Sequence, residues 1–173
     1  MAHLILGGAR SGKSGYAERI AASESLPVTV VVTAESFDEG MQARIERHRQ
    51  DRPSSWVTRE APLYLAECVL ALPPGQCVIV DCLTVWLNNH LYHFPDEPLM
   101  PKITKICEAV KACPATLILV SNEVGMGVVP LGEITRQFVD HAGWMNQALA
   151  LVCEQVTLIS AGLPLALKGG KHI

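Results

Sequence analysis

The chain has 173 residues, 49% of them hydrophobic and 18% charged, with a net charge of −3 and a pI near 6.0. A single domain covering residues 1–173 is expected at this length; the composition excludes a disordered chain, and the slight acidity offers no footprint for a nucleic-acid partner. No apolar run approaches the roughly 18 residues needed to cross a bilayer, and the N-terminal one is too short for a signal peptide, so no membrane span and a cytoplasmic location are expected.

Residues 4–6 read as a short strand. The sequence Gly7-Gly8-Ala9-Arg10-Ser11-Gly12-Lys13-Ser14 follows directly. It fits G-x-x-x-x-G-K-[ST], the phosphate-binding P-loop. Residues 16–22 then read as helix, so strand, glycine loop and helix stand in the required order. Residues 28–33 predict a second strand and residues 38–51 a helix. Residues 56–58 could add an edge strand. Residues 62–72 predict a helix with Pro62 at its first position, and Pro73-Pro74-Gly75 is a loop. Residues 78–80 form the next strand, 93–98 a loop and 99–112 a helix. Residues 117–121 predict a strand, 131–153 a helix, 156–160 a strand, and 163–167 a second edge strand. Residues 168–173 read as a frayed tail.

The strand runs are nearly continuously apolar, as expected for strands buried on both faces of a parallel sheet. Strands alternating with helices mean an α/β fold. With the P-loop, this is a P-loop NTPase (RecA-like) three-layer sandwich with a mostly parallel central sheet. The six cysteines, Cys68, Cys77, Cys82, Cys107, Cys113 and Cys153, include no C-x-x-C pair. They read as free, mostly buried thiols rather than disulfides or a zinc site.

The chemistry concentrates at strand ends. In the P-loop, backbone N–H groups line a concave anion site and the helix N-terminus adds partial positive charge. Lys13 would reach the β- and γ-phosphates of a nucleoside triphosphate, and Ser14 would hold Mg²⁺. Asp81, at the end of strand 78–80, is a second Mg²⁺ candidate, often acting through a water. It could instead cap the segment that follows. Asn122-Glu123-Val124-Gly125-Met126-Gly127 follows another strand, and reads either as a substrate loop or as a plain turn.

Arg44, Arg47, His48, Arg49 and Arg52 crowd one stretch. At helical spacing Arg44, His48 and Arg52 share a face. Flanking arginines disfavour imidazolium, leaving His48 neutral and nucleophilic, and they could hold a polyphosphate. A solvated charged helix is the competing reading.

Two longer strings carry a family resemblance. One is Met41-Gln42-Ala43-Arg44-Ile45-Glu46-Arg47-His48-Arg49 running on to Arg52-Pro53 and Trp56. The other is Ser121-Asn122-Glu123-Val124-Gly125-Met126-Gly127-Val128-Val129-Pro130. With the P-loop they run in one order across most of the chain, which resembles the bifunctional adenosylcobinamide kinase / adenosylcobinamide-phosphate guanylyltransferase family of cobalamin biosynthesis. The resemblance implies that His48 attacks the α-phosphate of GTP. Pyrophosphate leaves, and the GMP–histidine passes GMP to adenosylcobinamide phosphate. The same protein first phosphorylates the aminopropanol hydroxyl of adenosylcobinamide with ATP or GTP.

Carried over position by position, the resemblance makes Gly7 to Ser14 the triphosphate loop. Thr33, Ala34 and Glu35 match a nucleotide-contacting segment, and Arg49, Gln50, Asp51 and Arg52 match another. Glu60 and Asp81 match acidic positions of the guanylyltransferase site. The implied cofactor is Mg²⁺, held by Ser14 and Asp81; the implied substrate is a corrinoid; the implied assembly is a homo-oligomer, with a trimer as one candidate. A mean hydropathy of +0.25 is compatible with buried subunit surface. Residues 90–101 match nothing in the family pattern. Two other readings remain open: a plain small-molecule kinase with an electrostatic lid, and a RecA-like NTP-binding module.

Overall fold

The computed structural model describes residues 1–35 and 52–170. The helix expected over residues 38–51 and the last residues of the tail lie outside the described residues. Among the described residues, seven strands form one sheet in the order β3-β2-β4-β5-β1-β6-β7. They are β1 (Ala2–Gly7), β2 (Val28–Val32), β3 (Val57–Glu60), β4 (Cys77–Asp81), β5 (Thr116–Asn122), β6 (Gln155–Ser160) and β7 (Leu163–Lys168). All neighbours pair in parallel except β6 and β7. Both edge strands expected from the sequence are present, as β3 and β7.

Five described helices cover the faces: α1 (Lys13–Ser23), α2 (Leu65–Leu70), α3 (Leu83–His93), α4 (Leu99–Ala112) and α5 (Glu133–Val152). Alternate residues of each strand point to opposite faces. Ile5, Val30, Ile79 and Ile118 therefore face α1 and pack on Ala17 and Ala21. Leu4, Val31, Val80 and Leu119 face the other way, onto Leu65, Leu87, Ile103 and Met145 of α2 to α5. Each such aliphatic side chain, fully buried, contributes about 1.5–3 kcal/mol of apolar transfer.

Two elements depart from the expectations. The helix over 62–72 is shorter, at Leu65–Leu70. The Pro62 carbonyl accepts from Asn89 Nδ2 at 3.0 Å, and the Leu63 carbonyl bonds Trp86 Nε1 at 2.9 Å and His90 Nε2 at 3.0 Å. With those carbonyls engaged by α3 side chains, the turn begins only after Tyr64. The second departure is α3 itself, which the sequence reading did not assign. Its eleven residues, LTVWLNNHLYH, lack an acidic first turn and a side-chain cap. Leu83, Trp86, Leu87 and His90 are nevertheless buried along it, at the 3–4 residue spacing of a helix face. All six cysteines are free. Among the described residues no helix is long and apolar enough to cross a membrane.

Candidate nucleotide site

The P-loop opens where β1 ends. At Gly7 a Cβ would lie 2.5 Å from Ser11 Oγ and 2.6 Å from the Ile159 carbonyl oxygen, so the chain can double back beside β6 only without a side chain. Gly12 has φ +96° and immediately precedes α1, a left-handed conformation that glycine adopts freely. The Ser11 N–H donates to the Gly8 carbonyl at 3.2 Å, and the Gly162 N–H, from the turn between β6 and β7, donates to the Ser11 carbonyl at 2.9 Å. Lys13 is buried and its Nζ donates to the Gly8 carbonyl at 2.8 Å. The loop thus carries its own cation beside the backbone N–H groups of the first turn of α1, the arrangement that attracts phosphate.

Sheet register fixes where the acids stand. Glu60 pairs with Val32, Val32 with Asp81, and Asp81 with Val120. Register partners in a parallel pair share a face. Glu60, Asp81 and Gly7 therefore all lie on the α1 side of the sheet, at the carboxyl ends of their strands. Ligands of open α/β sheets bind at that edge. β5 stands between β4 and the P-loop strand, so Asp81 is two strand spacings, about 10 Å, from β1. Helix α3 takes Cys82 as its N-cap with no side-chain cap bond, so Asp81 is not a capping residue.

Arg52 ties these parts together. Its Nε lies 3.2 Å from Glu18 Oε1 on α1, and its Nη2 lies 3.8 Å from Asp81 Oδ2. The Arg52 side chain is only 8% exposed, so the pair is less screened than a surface ion pair. Burial, followed by the Asp81 carboxylate, pushes the Cys82 thiol up, while Lys13 acts in the opposite direction. Cys82 thus sits within the fields of both the P-loop cation and the β4 acid.

Thr33 lies on the opposite face and is fully buried. Its hydroxyl donates to the Cys82 carbonyl at 2.7 Å and accepts the Cys82 N–H at 3.0 Å. Its carbonyl accepts Asn89 Nδ2 at 2.7 Å. In this structure Thr33 joins β2 to the end of β4. Ala34 and Glu35 are half-buried beyond it, and Glu35 Oε2 meets His93 Nε2 at 2.7 Å. His48, Arg49, Gln50 and Asp51 lie outside the described residues.

The loop after β5 is anchored next to the P-loop. The Glu123 N–H donates to the Gly7 carbonyl at 2.9 Å, and Glu123 Oε1 accepts the Gly125 N–H at 2.7 Å. Ser121 Oγ donates to Asn146 Oδ1 at 2.7 Å, Asn146 Nδ2 to the Asn122 carbonyl at 3.2 Å, and Asn122 Nδ2 to Thr84 Oγ1 at 2.9 Å. This chain of bonds ties the end of β5 to the start of α3 and to Asn146 on α5. Glu18 and Asn146 had no motif to mark them, because their partners are distant in sequence.

The family model for cobinamide kinase / cobinamide phosphate guanyltransferase matches residues 3–167. The chain belongs to this family. A relative from Pseudomonas aeruginosa, a bifunctional adenosylcobalamin biosynthesis protein CobP, is 49% identical over 98% of this chain and 98% of its own length. The Escherichia coli K12 protein CobU, described in the same words, is 38% identical over 95% of this chain and 98% of its own. Among solved structures, the RadB recombinase superposes with a TM-score of 0.52 at 13% identity, covering 91% of this chain and 73% of that one. A Pyrococcus horikoshii OT3 protein gives 0.58 at 11% identity, covering 98% and 87%. These two likenesses show the fold, the RecA-like α/β sandwich, and the family membership agrees with the strings around His48 and Asn122.

Proposed function

We propose that this chain carries both activities of its family on one P-loop site. In the first step the aminopropanol hydroxyl of adenosylcobinamide attacks the γ-phosphate of ATP or GTP. An O–P bond forms, the proton leaves the hydroxyl, and the nucleoside diphosphate departs. In the second, a ring nitrogen of His48 attacks the α-phosphate of GTP and pyrophosphate departs. A phosphate oxygen of adenosylcobinamide phosphate then displaces the imidazole, giving adenosylcobinamide-GDP and free His48.

The observation that carries this reading is the placement of Glu35 and Arg52, the described residues on either side of His48 in the sequence. Glu35 precedes it and bonds His93; Arg52 follows it and lies against Asp81 and Glu18. Glu35 stands just past β2, and Arg52 reaches Asp81 at the end of β4 and Glu18 on α1, the helix that the P-loop opens.

The chemistry is mainly positioning and charge neutralisation. The P-loop N–H groups and Lys13 would receive the β- and γ-phosphates, and Arg52 with Arg49 would offset charge near the α-phosphate. Gln50 and Asp51 belong to the same nucleotide-contacting segment, and Glu60 with Asp81 supplies the acids of the guanylyltransferase site. Splitting one displacement into two through a neutral imidazole is ordinary nucleophilic catalysis. Mg²⁺ would be held by Ser14 and Asp81 with phosphate oxygens and water, the mixed donor set this ion prefers; it would neutralise phosphate charge.

The deciding experiment uses GTP labelled at the α-phosphate. Label that stays on the denatured protein in alkali, is lost in acid, and is absent from His48→Ala supports the reading. Protein that takes no α-label, yet transfers γ-phosphate to cobinamide, is a plain kinase.

A further inference from the structure

At the carboxyl edge of the sheet, beside the start of α3, there is a cavity of about 220 Å³, lined by Glu35, Thr84, Val85, Asn88, Asn122 and Phe138 among others. Of these residues only Glu35 also belongs to a nucleotide-contacting segment; the P-loop and Asp81 do not line it. It adjoins the P-loop strand, because Asn122 is the register partner of Gly7 and Glu123 bonds the Gly7 carbonyl. We infer that this cavity receives the amide-bearing aminopropanol arm of the corrinoid acceptor, a site that rests on the function proposed above.

The size argues for an arm. Sites that enclose a whole drug-sized ligand run to roughly 300–1,000 Å³, and a corrin macrocycle is larger still. The polar groups argue for amides. A corrinoid edge carries carboxamides, and the aminopropanol arm is itself joined through a secondary amide. Each offers an N–H donor and a C=O acceptor. The cavity presents the complements. Asn88 is exposed and makes no hydrogen bond among the described residues, leaving its amide available in both senses. Glu35 uses Oε2 on His93, which leaves Oε1 to accept. Asn122 commits its Nδ2 to Thr84, which leaves Oδ1 to accept.

The surroundings fit the rest of the molecule. Beyond Asn122 the loop exposes Met126, Val128 and Val129, and Gly125 lies beside Val139, one residue from Phe138 in the cavity wall. An apolar rim suits the largely apolar face of a macrocycle whose arm is inserted below. Placed so, the arm comes to the phosphate loop along the carboxyl edge of the sheet, past Asn122.

The test compares wild type with Asn88→Ala and Val85→Trp, the first removing an amide and the second filling the cavity. Equilibrium dialysis with cobinamide, read by corrin absorbance, gives acceptor affinity; a separate titration gives GTP affinity; thermal melts confirm folding. Asn88→Ala should weaken cobinamide about 5- to 10-fold, and Val85→Trp should abolish its binding, while GTP affinity stays within twofold. If the wild type binds cobinamide and both variants bind it equally well, the site is wrong and the function stands. If the variants lose GTP and keep cobinamide, the cavity belongs to the nucleotide and the site is likewise wrong. A wild type that binds no cobinamide overturns the function and the site together.

Discussion

The Thr33 hydroxyl holds both ends of the Cys82 peptide, donating to its carbonyl at 2.7 Å and accepting its N–H at 3.0 Å. One buried side chain thereby fixes the point where β4, bearing Asp81, turns into α3, bearing the cavity wall. Thr33→Val keeps the shape but leaves the Cys82 N–H and carbonyl without that partner. It should cost about 1–3 kcal/mol in a urea titration, and Thr33→Ser should recover most of the loss. A Thr33→Val protein as stable as wild type would show that the clasp is dispensable.

Lys13 is the only P-loop cation held inside the loop, through the Gly8 carbonyl. Lys13→Met removes the charge and keeps most of the length. Both γ-phosphate transfer to cobinamide and α-labelling by GTP should fall by about 100-fold or more. Loss of one activity with the other intact would mean that the two reactions do not share the loop.

Arg52 couples α1 to β4 through Glu18 and Asp81. A double-mutant cycle over Arg52→Ala and Glu18→Ala should give a coupling of about 1 kcal/mol in stability. The Arg52→Ala variant should also lose GTP affinity, which Glu18→Ala should largely retain. A coupling near zero would assign the 3.2 Å contact no energetic weight.

The buried titratable groups set the pH range of stability. Burial, followed by Glu24, pushes the Cys77 thiol up to about 11; burial, followed by Glu154, pushes Cys153 up to about 12. The unfolded thiol titrates first, near its ordinary 9.0, so the folded state binds more protons above that pH and stability falls as pH rises toward 11–12. His3 and His90 are lowered below their ordinary 6.5, chiefly by burial. The unfolded histidines then bind protons first, and stability falls as pH drops below about 6.5. Urea midpoints should be flat with respect to these groups between those limits, and Cys153→Ala should flatten the alkaline limb. An alkaline limb unchanged in that variant would rule Cys153 out as a source.

Much of the sheet was legible because each strand is a short, nearly unbroken apolar run between turn residues, and the P-loop announces the first strand and helix together. The limits of 99–112 emerged intact because an amphipathic helix after Pro98 leaves little ambiguity. Helix α3 stayed hidden for the opposite reason. Its Leu83, Trp86 and Leu87 keep helical spacing, but no acidic first turn or side-chain cap marks its start, and its Trp86, Asn89 and His90 are held by carbonyls of residues 33, 62 and 63 that lie far off in sequence. The same applies to the site. Lys13 and Asp81 were marked by motif and strand end, whereas Glu18, Asn88 and Phe138 acquire their places only when α1, α3 and α5 pack.

The contact between Gly162 and Ser11 also orders events in time. β1 is an interior strand, and both its neighbours, β5 and β6, are made well after it. The phosphate loop is translated long before its backing, which is complete only when the β6–β7 hairpin emerges. Nascent chains cut short before residue 155 should therefore bind no triphosphate, and synthesis itself becomes the timer that keeps an unfinished enzyme from consuming nucleotide.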